Sequence, residues 1–131
     1  MTKKIIYVFL LGILSVLAIS GCVPQSSASA PEIGVVEAND LFTKQETFFL
    51  DVREQEEWDA VHIPGTTLIP LGQLAERINE VPKDKNIVVV CRSGNRSQQG
   101  RDILKQAGIT NVTSMAGGIT EWSKQGFPIE P

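Results

Sequence analysis

The hydrophobic and polar positions of this 131-residue chain begin with a long apolar run and a polar gap. Short apolar segments separated by amphipathic ones follow. Thr47-Phe48-Phe49-Leu50-Asp51-Val52 and Ile87-Val88-Val89-Val90 are apolar runs of strand length, the second wholly β-branched. Runs of this kind predict strands buried on both faces, as in a parallel sheet covered by helices. Gly34-Val35-Val36, Thr67-Leu68-Ile69 and Asn111 to Met115 predict three further strands. Helices are predicted over Asn39 to Gln45, with Leu41 and Phe42 inward, and over Glu54 to Ala60, with Trp58 as its large apolar residue. The i, i+4 pair Leu74 and Ile78 predicts another over Leu74 to Asn79. Ser97 to Ala107 follows, with Ile103 and Leu104 as its apolar face and Gly108 as its C′ stop. Gly100 inside that helix costs about 1 kcal/mol against alanine unless close packing needs it. Ile119 to Lys124 is the last helix, with Trp122 inward, and Gly126 and Pro128 release the tail. Strands alternating with helices predict an α/β domain with a mostly parallel sheet. Ligands of such sheets lie beyond the carboxyl ends of the strands, so the segment after Val90 is the first place to look for chemistry.

The opening run reads as an address rather than as part of the fold. Lys3 and Lys4 form a basic start, and the fifteen residues from Ile5 to Ile19 are almost wholly apolar. That length suits a secretory signal and is short of the roughly 20 residues of a spanning helix. The run ends in Ile19-Ser20-Gly21-Cys22, which resembles the bacterial lipobox. The resemblance implies cleavage before Cys22 and lipidation of its sulfur, which would tether the chain to a membrane outside the cytoplasm. Two or more acyl chains anchor stably, at about 0.8 kcal/mol per buried CH₂. The expected organisation is therefore a lipoprotein signal peptide over 1–21, a small-residue flexible linker over 22–31 and a folded domain over 32–131.

Composition narrows the picture. Charged residues are 21% and hydrophobic residues 42%, the balance of an ordinary globular domain. Losing Lys3 and Lys4 with the leader takes the formal charge from −3 to −5. A mildly acidic domain has no electrostatic reason to bind nucleic acid. A lone His62 and one cysteine within the domain cannot build a zinc shell, so neither a metal nor another cofactor is expected.

The remaining cysteine, Cys91, follows the clearest strand directly. Arg92-Ser93-Gly94-Asn95-Arg96-Ser97 come next, and a helix begins. Gly94 and Asn95 tolerate positive φ, which a loop curling around a centre requires. Backbone N–H groups can then aim inward as an anion nest, backed by the positive end of the helix dipole. Ser97 is the expected N-cap. With Arg92 and Arg96 adding positive charge, the setting favours a reactive thiolate over an inert core cysteine. A thiolate there can take the outer sulfur of a small sulfur-containing anion such as thiosulfate. It can then pass that sulfur to cyanide or to a thiol, small or on a protein, in ping-pong fashion.

Four segments together carry a family resemblance: Leu50-Asp51-Val52-Arg53, His62-Ile63-Pro64-Gly65, Cys91 to Ser97, and Gly117-Gly118-Ile119 with Trp122, Gly126 and Pro128. In this order and spacing, the chain from about Gly34 to Pro128 resembles a single-domain rhodanese. The resemblance implies about five parallel strands with helices on both faces. It also implies Cys91 as a persulfide carrier, with Arg96 and the amides of Arg92, Ser93, Gly94, Asn95 and Arg96 holding the sulfur or anion. Thr66 departs from the family, which usually has alanine after Pro-Gly.

Other residues take supporting roles. Asp51 is expected to hold the fold or the loop, paired with Arg53 or another cation. His62 is expected to pack, since chemistry that starts from a thiolate needs no general base. The acidic run Glu54, Glu56, Glu57, Asp59 reads as a solvated helix face, and Trp58 and Trp122 read as core. Two rival functions share this fold: a non-catalytic binding or regulatory module, and a phosphatase or arsenate reductase. Protein phosphatases place one more residue between cysteine and arginine than the four, Arg92 to Asn95, found here.

Overall fold

The computed structural model describes residues 31–131. The expected signal peptide, the expected lipidation at Cys22 and the expected linker up to residue 30 lie outside the described residues. The sheet has five strands: β1 (Glu32–Ile33), β2 (Thr47–Asp51), β3 (Thr67–Leu68), β4 (Asn86–Val90) and β5 (Val112–Met115). All pairings are parallel, in the order β1-β5-β4-β2-β3. Three α-helices, α1 (Val35–Lys44), α2 (Gln55–Ala60) and α3 (Asn95–Gln106), lie between strands, and α4 (Gly118–Lys124) follows the last one. This is the α/β architecture expected, five parallel strands with helices on both faces.

The period-two geometry of β4 divides the core. Ile87 and Val89 face a cluster with Leu50, Val52, Ile69, Leu74 and Leu104. Val88 and Val90 face the other side, with Val35, Ala38, Phe49, Ile119 and Trp122. Helices therefore cover both faces, which is why the strand reads as an unbroken apolar run. Trp122 is fully buried, with Phe42, Phe49 and Phe127 packed edge-on around it. Its indole N–H donates to the Pro128 carbonyl at 2.8 Å, which satisfies the polar edge of a buried ring.

Several expectations change. Gly34-Val35-Val36 is not a strand: Gly34 is the N-cap of α1, and the first strand is Glu32–Ile33. Val35 and Ala38, with Leu41 and Phe42 after them, form a helical stripe toward the core, while Val36 is exposed. Leu74 to Asn79 is not an α-helix. One 3₁₀ turn, Leu71–Gln73, precedes it and a second, Ile78–Glu80, takes up its last two residues. Gly72 weakens the start of a helix there and Pro82 holds Val81 extended at its end, yet Leu74 is still buried and Ile78 still packs against the core. Trp58 is half-exposed rather than core, its ring stacked 3.6 Å from that of His62. The tail is held: Glu130 and His62 exchange backbone hydrogen bonds at 2.8 and 2.9 Å. Gly108 does close α3, with Ile109 N–H bonded to Leu104 and its own N–H to Lys105, a Schellman arrangement.

Gly100 is required by packing. A Cβ there would stand 3.1 Å from Val89 Cγ1 and 3.2 Å from Val52 Cγ1, and both valines are fully buried. Gly100→Ala gains about 1 kcal/mol of helix propensity but overpacks a site walled by stiff β-branched residues. A net loss of about 1–2 kcal/mol is expected in urea unfolding.

Candidate active site

Cys91 leaves the carboxyl end of the central strand on the α3 side of the sheet, in register with Ile87 and Val89. It is a free thiol and only 1% exposed. The chain turns through Arg92 and Ser93 into Gly94, whose φ of +109° is a conformation that side-chain-bearing residues rarely adopt. That turn swings the Gly94 N–H back onto the Cys91 Sγ, at 3.1 Å. Ser97 Oγ stands 3.6 Å from the sulfur, and its hydroxyl donates to the Gly94 carbonyl at 2.7 Å. The first-turn amides of α3 have no intrahelical partners and carry the positive end of its dipole. An amide and a helix terminus thus meet at one sulfur, which equips the position to hold sulfur-borne negative charge, while the Ser97 oxygen accepts from the neutral thiol.

Helix α4 supplies the outer wall. Ile119 N–H donates to the Cys91 carbonyl at 2.9 Å and Thr120 N–H to the Arg92 carbonyl at 3.1 Å. Both carbonyls are thereby fixed toward α4. The approach is possible because Gly118, at φ +56°, lies against the Cys91–Arg92 peptide, where a Cβ would overlap the Cys91 carbonyl oxygen.

Two details of the predicted loop are corrected. Ser97 is not the N-cap; Gly94 is, and Ser97 sits in the first turn of α3 with its hydroxyl turned back to the loop. Asn95 does not use positive φ: Gly94 makes the left-handed turn alone, so Asn95 begins the helix. Arg92 and Ser93 are exposed. Arg92 borders a groove of about 410 Å³ that runs between Val61 of the α2 end and Ile119, Thr120 and Lys124 of α4.

Arg96 has a partner that the sequence reading did not supply. Its Nη1 and Nη2 donate to Glu57 Oε2 and Oε1, both at 2.7 Å, and both side chains are about 30% exposed. The hydrogen bonds from Arg96 lower the Glu57 carboxyl from its ordinary 4.5 to about 2. Glu57 in turn raises the guanidinium. Glu57 also accepts the Glu54 backbone N–H at 3.1 Å at the start of α2. It is therefore not part of a solvated face. Sequence offers one faint signal, the spacing of Glu54 and Glu57 as a helix start.

Asp51 and Arg53 pair as expected. Arg53 Nη2 reaches Asp51 Oδ2 at 2.7 Å, and its backbone N–H donates to Oδ1 at 3.0 Å, with both residues buried. Arg53 also donates to the carbonyls of Glu57 (3.3 Å) and Val61 (2.8 Å), which pins the middle and the carboxyl end of α2. His62 is a packing residue: Nδ1 is 2.9 Å from the Trp58 carbonyl and Nε2 is 3.2 Å from Glu130. The Thr66 hydroxyl donates to the Ile63 carbonyl at 2.8 Å and accepts the Trp58 indole N–H at 3.3 Å. Its departure from alanine is thus fully satisfied. Arg101, which the sequence reading passed over, is buried beside the Ser114 hydroxyl and the Pro31 carbonyl and fastens β1 to the sheet.

Comparison with known proteins agrees with this fold. The model of the rhodanese-like domain matches residues 35–125. A sulfurtransferase of Allochromatium vinosum is 35% identical over 89 residues, 68% of this chain and 83% of that protein. A thiosulfate sulfurtransferase of Pseudoalteromonas translucida is 31% identical over 90 residues, 69% of this chain and 86% of that protein. Among solved structures, a rhodanese-related protein of Thermoplasma volcanium superposes with a TM-score of 0.71 at 30% identity, covering 76% of this chain and 97% of that one. Other curated relatives are longer: the chain spans 54% and 25% of the lengths of two of them.

Proposed function

The chain belongs to the rhodanese-like domain family, and from that premise we propose that it is a sulfurtransferase or sulfur carrier working through a persulfide on Cys91. The observation that carries the reading is the Gly94 amide aimed at the Cys91 sulfur from 3.1 Å, at the mouth of a helix N-terminus. The thiolate attacks the outer sulfur of a donor such as thiosulfate. A new S–S bond forms, the donor's bond to that sulfur breaks, and sulfite leaves with the bonding pair. A thiol or cyanide then takes the outer sulfur and returns the thiolate. The Gly94 amide and the positive end of the α3 dipole stabilise whichever sulfur carries the charge. Because Cys91 is buried, the donor's sulfur has to enter the loop for the bond to form.

Two further readings belong to the same proposal. The domain rides on a lipid tether at Cys22 outside the cytoplasm, supported by the basic start, apolar run and lipobox-like end of residues 3–22. With no cytoplasmic glutathione pool there to hold Cys91 reduced, the domain works with a dedicated thiol partner or in a low-oxygen setting.

Intact mass spectrometry tests the function. Protein exposed to thiosulfate or cysteine persulfide is expected to gain one sulfur, roughly 32 Da, that a thiol removes. The Cys91→Ser protein is expected to gain none. Wild-type protein that stays unloaded while hydrolysing p-nitrophenyl phosphate would move the assignment to the phosphatase side of the fold.

A further inference from the structure

The guanidinium expected to clamp an incoming anion is already clamped. Where a cysteine loop holds a tetrahedral oxyanion, its arginine presents two parallel N–H groups to two oxygens. In this chain both groups, Nη1 and Nη2 of Arg96, end on the carboxylate of Glu57 at 2.7 Å. Glu57 lies 39 residues away in sequence and is not free to drift. Arg53 holds the Glu57 and Val61 carbonyls, and the Glu57 side chain also accepts the Glu54 N–H.

The charges around the loop point the same way. Arg53 is neutralised by Asp51, Arg96 by Glu57, and Lys124 lies 3.6 Å from Glu121. Arg92, exposed at the loop, has no ion-pair partner among the described residues. A dianion entering the loop therefore meets one uncompensated cation and a fixed carboxylate that stays ionised down to about pH 2.

We propose that Glu57 is a specificity-determining residue: by occupying the bidentate face of Arg96 it keeps tetrahedral dianions such as phosphate, arsenate and sulfate out of the Cys91 loop. Thiosulfate shares that head group and is disfavoured with them. Sulfane donors without an oxyanion head, alkyl persulfides above all, are favoured. With such a donor the Cys91 thiolate attacks the outer sulfur of R–S–SH. The inner S–S bond breaks, R–S⁻ leaves with the electron pair, and Cys91 carries S–SH with no net oxidation. The donor preference rests on the persulfide reading above, whereas the exclusion of oxyanions does not.

The test compares wild type with Glu57→Gln, and with Glu57→Ala should the first not fold. Steady-state sulfur transfer is measured with thiosulfate and with cysteine persulfide, and inorganic phosphate is titrated by calorimetry without any donor. Wild type is expected to use cysteine persulfide with at least about tenfold higher kcat/KM than thiosulfate. In the variant the ratio of thiosulfate to persulfide kcat/KM is expected to rise at least about tenfold, mainly through the thiosulfate KM. Phosphate is expected to bind at least about tenfold tighter to the variant. A structural role alone would depress both donors together and leave phosphate binding unmoved, and that result overturns the proposal. Should wild type transfer sulfur from neither donor, the sulfurtransferase reading and with it the donor preference fail. The phosphate titration then still decides the exclusion, tighter binding supporting it and equal binding refuting it.

Discussion

Replacing Asp51 with alanine is expected to lower the unfolding free energy by about 3–5 kcal/mol. The reasoning begins with burial. Asp51 has no exposed surface and Arg53 has 2%, so the guanidinium left behind would be a desolvated charge without its counter-ion. The carboxylate accepts from Nε, Nη2 and the backbone N–H of Arg53, and none of these donors can turn to water without unpacking the end of β2. The damage should travel. Arg53 holds the middle and the carboxyl end of α2 through the Glu57 and Val61 carbonyls, and α2 carries the carboxylate that engages Arg96. Urea unfolding measures the first effect. The second is read as faster proteolysis of the segment around α2 at temperatures where the domain remains folded. Replacing both residues by apolar ones, Asp51→Leu with Arg53→Met, should destabilise less than Asp51→Ala, because the cost lies in the orphaned charge and not in the pair. A double variant that is less stable than the single one refutes this account.

How much of this was legible in the sequence follows from how local each feature is. The central strand, the cysteine at its end and the glycine that turns the chain back are neighbours along the backbone, and their residue types carry the geometry. Asp51 and Arg53 are two residues apart, so their pairing was open to inspection too. The Glu57–Arg96 clamp was not. An acidic residue on a short helix reads as solvated unless a cation faces it across space, and that cation comes from another connection of the fold. The first strand was misplaced for a related reason. Val35-Val36 has the stronger β propensity, but Val35 and Ala38 bury a helical stripe while Glu32 and Ile33 pair with Ser114 and Met115. Tertiary burial overrides a propensity that is worth only about 1 kcal/mol. Leu74 and Ile78 teach the same lesson in reverse: the spacing correctly named two core-facing residues, while the backbone between the prolines took 3₁₀ turns to place them.

The loop itself gives the second large effect. Gly118→Ala is expected to cost about 3–5 kcal/mol and to reduce sulfur transfer at least about 100-fold. Two penalties add. At φ +56° the new side chain pays the left-handed strain of about 1–2 kcal/mol. Its Cβ would also overlap the Cys91 carbonyl oxygen and lie 2.5 Å from the carbonyl carbon of Arg92, backbone atoms that cannot rotate away as a side chain would. Relief requires α4 and the loop to part, which breaks the bonds from Ile119 and Thr120 to the Cys91 and Arg92 carbonyls. Once those carbonyls are free to turn, the Gly94 amide that faces the sulfur loses its fixed direction, and misplacement by about 1 Å is enough to cost two orders of magnitude in rate. Gly108→Ala separates strain from overlap. Gly108 is also left-handed, at φ +88°, but nothing lies within 4 Å of a Cβ built there. It should lose only about 1–2 kcal/mol and keep its sulfur loading, because it stops α3 at the end remote from the cysteine. If the two substitutions prove equally costly and equally harmless to loading, backbone strain alone explains both, and the close seat of α4 against the Cys91–Arg92 peptide has no part in holding the loop.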